Sequence, residues 1–226
     1  MTSNKMVQKL LKMKNPANIR GMERFGINPK NALGINIPEL RKLAKNSGKN
    51  HGLAQKLWNS ELHEARILAS MVEVPDLVSE QQMEEWVKTF DSWDLCDQVC
   101  LNLFDKTVFS YKKAMEWSSR KEEFVKRAGF VLMAVLSVHD KKAPDSRFID
   151  FLGAIRHESY DSRNFVKKAI NWALRQIGKR NLKLNRESIK TAQEILANGN
   201  KSALWIASNA LREIKSKEVQ DRVRSC

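Results

Sequence analysis

The sequence predicts an all-α protein whose helices form an α-α superhelix of the HEAT/armadillo type. Valine and isoleucine recur at helical spacings rather than in alternation, a pattern typical of helices. Glycine and proline, with 9 and 5 occurrences in 226 residues, are few. Helical segments of similar length follow one another after short links, as in stacked helical pairs. No strict period is visible, which favours a degenerate HEAT-like array. A compact helical bundle is the structural alternative.

Start signals locate the helices in chain order. Pro38 and Pro144 lie where a first helical turn accepts proline. Three pairs have capping-box spacing: Asn36 with Glu39, Ser79 with Gln82, and Ser119 with Glu122. With the apolar spacings, they predict helices near residues 3–14, 16–25, 38–47, 50–59, 62–74, 80–89, 92–103, 107–117, 121–138, 145–156, 162–179, 186–197, 201–213 and 216–224.

The charge balance points to a polyanionic partner. Lysine and arginine number 40 against 26 acidic residues, which gives a net charge of +14. Such a surplus favours DNA, RNA or an anionic membrane face, and a basic protein without such a partner is the alternative. We expect one domain spanning residues 1–226.

The sequence also indicates a cytoplasmic monomer. The N-terminus lacks the apolar core of a signal peptide, and the longest apolar run, residues 128–138, is too short to cross a bilayer. Three sparse cysteines, Cys96, Cys100 and Cys226, fit a reducing compartment. We predict no metal and no organic cofactor, since no cluster of histidine and cysteine has ligand spacing.

The helix near 92–103 places a carboxylate among apolar side chains. Its core stripe is Leu95, Val99 and Leu103, and a second stripe beside it holds Trp93, Asp97, Cys100 and Phe104. Asp97 lies too deep in the helix to cap it. It is solvated at a helix edge, paired with a basic neighbour, or held ready for chemistry.

The helix near 162–179 has an apolar back and a basic front. Val166, Ile170, Ala173 and Ile177 form its core stripe. Trp172 points about 120–140° away from that stripe, on the face that carries Lys168, Arg175 and Lys179. Either a neighbouring helix covers Trp172, with the cations at the rim, or this face contacts nucleic acid.

The helix near 121–138 carries a buried cation. Arg127 shares a stripe with Phe124, Val131 and Val138. A guanidinium in that position needs an anionic partner. The partner is a structural carboxylate, such as Asp97, or a phosphate from a ligand.

Together, these segments resemble the AlkD-like DNA alkylation repair glycosylases, which are built from HEAT-like repeats. The resemblance is carried by DSWDLCD (91–97), KRAGFVLMAV (126–135) and RNFVKKAINWALRQIGKRN (163–181). Weaker support comes from LGINIPELRKLAK (33–45) and ELHEARILAS (61–70). The match spans roughly residues 20 to 180. Cys96 departs from the family, where an aliphatic residue is more usual.

The resemblance implies a DNA N-glycosylase that removes N3- or N7-alkylated purines from duplex DNA on a concave basic face. It assigns the catalytic aspartate to Asp97, the two tryptophans of the site to Trp93 and Trp172, and the site arginine to Arg127. Lys168, Arg175 and Lys179 would bind the DNA backbone. The alternatives are a non-catalytic module that binds DNA or RNA and a protein-interaction scaffold. A carboxylate between aromatic residues argues against the scaffold.

Overall fold

The computed structural model describes residues 3–197 and 199–225, and helices are its only regular secondary structure. Cys226 lies outside this part of the chain. Two 3-10 turns, Pro75–Leu77 and Phe104–Lys106, join neighbouring helices. The α-helices are α1 (Ser3–Lys12), α2 (Pro16–Arg24), α3 (Ile37–Ser47), α4 (His51–Trp58), α5 (His63–Val72), α6 (Glu80–Val87), α7 (Trp93–Asn102), α8 (Ser110–Ser118), α9 (Glu123–His139), α10 (Asp145–His157), α11 (Asn164–Gly178), α12 (Leu182–Ala197), α13 (Lys201–Ile214) and α14 (Lys217–Arg224). The predicted all-α class is confirmed.

Two of the three predicted capping pairs form. The Asn36 side chain accepts from the Glu39 amide at 3.0 Å, and Ser79 Oγ accepts from the Gln82 amide at 3.0 Å. The Ser119 prediction is wrong. The Ser119 hydroxyl instead donates to the Glu116 carbonyl at 3.0 Å, and α9 begins at Glu123 without a side-chain cap.

Two helix starts differ from prediction by three or more residues, because polar side chains act locally. Helix α12 begins at Leu182, four residues before the predicted start, and the Asn181 side chain accepts from the Leu184 amide at 2.8 Å. Helix α8 begins at Ser110 instead of residue 107. Thr107 ends the preceding 3-10 turn, where its hydroxyl donates to the Phe104 carbonyl at 2.9 Å.

The chain divides into two compact units, Met1–Val108 and Phe109–Cys226. In the first unit, α5 packs against α3, α4 and α7, and α1 packs against α4 and α5. The core includes Trp58 stacked on Trp86, with ring centroids 3.8 Å apart. Burial of such large aromatic surfaces is a main stabilising contribution.

The second unit is a two-layered stack. One layer is α8, α10, α12 and α14, and the other is α9, α11 and α13. Helix α9 is buried on nearly all sides from Val125 to Ser137, as its apolar sequence predicts. Gly129 permits the close approach of α8, because a Cβ there would lie 2.4 Å from the Ser118 backbone nitrogen. No helix in the described ranges has the length and hydrophobicity needed to cross a membrane.

Candidate functional site

Helix α7 presents a tryptophan with a fixed ring. Trp93 is half-buried at the first helical position, and its Nε1–H donates to the Phe25 carbonyl at 3.0 Å. Phe25 ends α2 and its own side chain is exposed. The hydrogen bond restricts rotation of the indole and therefore fixes the direction of its π face.

Asp97 lies one turn further along α7 and is also half-buried. Leu95 and Val99 are buried, as predicted for the core stripe. The second predicted stripe runs from the half-buried Trp93 and Asp97 into the core, where Cys100 and Phe104 are fully buried. Burial, followed by the neighbouring Cys96 thiol, raises the pKa of Cys100, so this thiol stays protonated beside the carboxylate.

The other carboxylates near the start of α7 have structural partners. Asp94 accepts from His63 Nε2 at 2.8 Å, and the buried Glu64 accepts backbone amides from Leu33 and Gly34 at 2.7 and 2.6 Å. His63 could not be identified from the sequence, because a lone histidine in a helix gives no local signal of a partner 31 residues away.

In the second unit, Arg127 is buried on α9, with 6% of its surface exposed. One of its terminal nitrogens, Nη1, donates to the Phe165 carbonyl near the start of α11 at 2.5 Å. A carboxylate or a phosphate was the expected partner of Arg127, and this backbone carbonyl was not expected. This bond links α9 to α11 and fixes the guanidinium.

Helix α11 has the two faces that its sequence predicts. Val166, Ile170, Ala173 and Ile177 are all buried. Trp172 is half-buried, and its indole nitrogen makes no hydrogen bond within residues 3–197 and 199–225.

The three predicted DNA-binding cations differ in their surroundings. Lys168 is exposed, and it forms no ion pair with any described residue. Arg175 Nη1 and Lys179 Nζ both pair with Glu213 of α13, Lys179 at 2.7 Å. Partial burial opposes ionisation of Glu213, but its hydrogen bonds to Lys179 and Arg175 outweigh that effect and lower its pKa. Glu213 therefore stays charged and offsets part of the positive charge of Arg175 and Lys179.

The candidate residues lie in both units. Trp93 and Asp97 share one face of α7 in the first unit, and the other five lie on α9 and α11 of the second or directly after α11. In the described part of the chain, no group of three or more histidine, cysteine or acidic side chains could hold a metal ion.

The fold defines a class, the all-α proteins built from HEAT-like repeats. One solved structure similar to the chain represents a new family of proteins related to the HEAT-like repeat DNA glycosylases, with affinity for branched DNA structures. It superposes with a TM-score of 0.78 over 94% of this chain and 95% of its own, at 18% sequence identity. The predicted HEAT-like fold is thus confirmed.

The sequence assigns the chain to a particular protein family, which is narrower than the class defined by the fold. The family model of the DNA alkylation repair enzymes matches residues 6–214, and the chain belongs to this family. The resemblance expected from the sequence is therefore confirmed. No curated protein shows significant sequence similarity to the chain.

Proposed function

We propose that the protein is a DNA N-glycosylase that excises cationic N3- or N7-alkylated purines from duplex DNA. One observation carries the proposal: α7 holds a half-buried carboxylate, Asp97, one turn from the indole of Trp93. Membership of the DNA alkylation repair enzymes gives this pair a chemical context. We treat residues 1–226 as one functional domain that acts as a cytoplasmic monomer without a cofactor.

The chemistry requires stabilisation of a sugar cation more than proton transfer. An alkylated purine of this kind carries a positive charge and leaves as a neutral base, so no strong general acid is required. As the glycosidic bond breaks, positive charge develops on the deoxyribose. Asp97 stabilises this charge and orients the attacking water. Partial burial makes the carboxylate more effective, because bulk water screens it less.

The other residues position the substrate. Trp93 and Trp172 flank the sugar and offer their π faces to the developing cation. Arg127 holds a phosphate near the lesion, with its guanidinium oriented by the Phe165 carbonyl. On the proposed basic face, Lys168, Arg175 and Lys179 contact the DNA backbone.

A second candidate function is a non-catalytic module that binds DNA or RNA structure. Two observations favour it. Glu213 offsets two of the three cations proposed to bind duplex backbone. The solved relative belongs to a family with affinity for branched DNA structures. Charge alone does not separate a binding module from an enzyme, since both need a basic surface.

Base release separates the two functions. The purified protein is incubated with methylated duplex DNA, and free 7-methylguanine and 3-methyladenine are measured by chromatography, with unmethylated duplex as the control. We expect release of a methylated purine and an abasic site in the strand. Binding of DNA without release of any tested cationic base would favour the binding module.

A further inference from the structure

A polar cleft of about 320 Å³ lies in the first unit, beside the start of α7. Its lining includes Lys30, Asn31, Glu61, His63, Arg66 and Asp91. None of these residues takes part in the reaction proposed above. The volume is at the lower end of the range for small-ligand pockets in proteins, so one nucleotide-sized group is a suitable occupant.

The backbone of this cleft is strained. Asn31 and Glu61 have φ values of 62° and 59°, and across the described ranges they are the only non-glycine residues in the left-handed region. The Asn31 carbonyl accepts from the His63 backbone amide at 3.0 Å, which ties the strained loop to α5. Strain of this kind persists where the surrounding structure imposes it, and it is concentrated at binding sites.

Two cations and one imidazole have nitrogens without described partners in the cleft. His63 bonds to Asp94 through Nε2, and its Nδ1 has no hydrogen-bond partner among the described residues. The Arg66 guanidinium lies 5.4 Å from the centroid of the Trp58 ring, and its terminal nitrogens likewise have no described partner. The Lys30 ammonium is exposed and forms no ion pair in that part of the chain. Guanidinium and ammonium groups, such as those of Arg66 and Lys30, bind phosphate.

Two carboxylates line the same cleft. Asp91 accepts from the Asn28 side chain at 2.7 Å, and the Glu61 carboxylate makes no hydrogen bond with any described residue. Within the described ranges, neither carboxylate forms a salt bridge with Lys30 or Arg66. A simple anion would use the cations but be repelled by the carboxylates. The mixed lining therefore fits a ligand that has both an anionic group and hydrogen-bond donors.

We infer that this cleft binds one unpaired nucleotide of a DNA strand. Its phosphate contacts Lys30, Arg66 and, when the imidazole is protonated, the Nδ1–H group of His63. Its base donates an amino hydrogen to Glu61, as carboxylates accept from the amino group of cytosine; Asp91 already accepts from Asn28 and Ser92. Adenine, cytosine and guanine carry such an amino group and thymine does not. The inference rests on the proposed function insofar as that function requires DNA binding.

Binding to DNA with different overhangs tests the inference. Fluorescence anisotropy compares a duplex with a short cytidine overhang, the same duplex with a thymidine overhang, and a blunt duplex with an equal number of phosphates. We expect the cytidine overhang to bind about tenfold more tightly than the thymidine overhang, the ratio that follows from one hydrogen bond to a charged group. The thymidine overhang should in turn bind more tightly than the blunt duplex, because it keeps the phosphate contacts. Addition of this DNA should also shift the His63 ring signal in a nitrogen-15 NMR spectrum.

Two exposed cleft residues provide variants that should fold normally. Glu61→Gln should equalise the affinities for the two overhangs, and Lys30→Ala should weaken binding to both. Glu23→Gln and Lys42→Ala, at exposed positions outside the cleft, are the matched controls. They should change neither the preference for the cytidine overhang nor the affinity for either overhang.

Equal affinity of the wild type for both overhangs, or a His63 signal that DNA leaves unmoved, overturns the inference. Base release from a blunt methylated duplex reports separately on the proposed function. Base release without an overhang preference would support the glycosylase function and contradict the nucleotide site. A cytidine preference without base release would support the nucleotide site and contradict the glycosylase function.

Discussion

The hydrogen bond from the Trp93 indole to the Phe25 carbonyl is the most direct structural constraint on the candidate active site. It holds an aromatic face in one orientation before substrate binds, and such preorganisation favours the transition state over the ground state. The residue that supplies the acceptor contributes through its backbone. Trp93 could be identified from the sequence and Phe25 could not, since any residue type offers a carbonyl.

Trp93→Phe tests whether this constraint matters. Phenylalanine keeps an aromatic ring but has no N–H to donate. We expect the rate of base release to fall by roughly 3- to 10-fold, in line with the loss of one neutral hydrogen bond, with DNA affinity nearly unchanged. Single-turnover kinetics measures the rate, and Trp205→Phe, at an exposed tryptophan of α13, is the control. An unaltered rate for Trp93→Phe would mean that the hydrogen bond does not contribute.

The His63–Asp94 pair should make stability depend on pH. Burial disfavours the charged forms of both, but their hydrogen bond outweighs it, raising the pKa of His63 above 6.5 and lowering that of Asp94 below 3.8. The stabilisation of the folded protein by protonated His63 is fully present below pH 6.5. It is lost as the pH rises through the pKa of His63 in the folded protein. The stabilisation of the folded protein by ionised Asp94 is present above pH 3.8. It is lost as the pH falls through the pKa of Asp94 in the folded protein.

Chemical denaturation of Asp94→Asn checks this dependence. Near pH 5.5 we expect the variant to unfold with roughly 1–3 kcal/mol less free energy than the wild type. The difference should shrink toward pH 8.5, because His63 becomes neutral. A difference that stays constant between these pH values would show that His63 does not titrate in the folded protein.

The sequence predicted the positions of the helices far better than the contacts between side chains of different helices. All fourteen predicted helices correspond to helices in the described residues, because apolar spacing and the Asn36 and Ser79 caps are local signals. The predicted cap at Ser119 failed because the Ser119 hydroxyl bonds to the Glu116 carbonyl of the preceding helix instead. The pairing of Arg175 and Lys179 with Glu213 was also missed, since it joins residues 38 and 34 positions apart.

Gly129 should be required for the packing of α8 against α9. In Gly129→Ala the new Cβ would meet backbone at 2.4 Å, so the helices must separate. We expect the free energy of unfolding to fall by about 1–3 kcal/mol, despite alanine's higher helix propensity. Urea denaturation measures it. Gly153→Ala on α10, where a Cβ meets nothing within 4 Å, is the matched control and should stabilise the fold by up to about 1 kcal/mol. Equal effects at both glycines would contradict the packing argument.

Glu213 should limit the affinity of α11 for DNA. Glu213→Gln releases Arg175 and Lys179 from their ion pairs, so we expect tighter binding and a steeper salt dependence, by about 0.9 units of slope for each additional phosphate that these cations neutralise. Titrations at several salt concentrations measure this slope. Glu187→Gln on α12 makes the same charge change and should have little effect. An unchanged slope in Glu213→Gln would place the DNA path away from Arg175 and Lys179.

Lys168 gives the complementary result on the same helix. Because it forms no ion pair in the described residues, Lys168→Ala should weaken binding and flatten the slope by about 0.9 units. Arg175→Ala should have a smaller effect, since Glu213 already offsets its charge. Lys183→Ala on α12 controls for loss of net charge. A larger effect at Arg175 than at Lys168 would reverse this ranking.

For the whole molecule, composition and family membership point the same way. The net charge of +14 favours a polyanionic partner, and the chain belongs to the DNA alkylation repair enzymes. The fold class could be predicted from helical periodicity alone. The family was recognised because the Trp93–Asp97 and Trp172 motifs are long and well separated in the sequence. The cleft at His63 could not be predicted, because its residues come from separate segments that only the fold brings together.

The central claim is that the Asp97 carboxylate stabilises the sugar cation. The most direct test compares the single-turnover rate of 7-methylguanine release by the wild type, by Asp97→Asn and by Asp76→Asn, an exposed residue with the same change of charge. We predict that Asp97→Asn is slower by about 100-fold or more while it binds DNA as the wild type does, and that Asp76→Asn is unaffected. Equal rates for Asp97→Asn and the wild type would contradict the account.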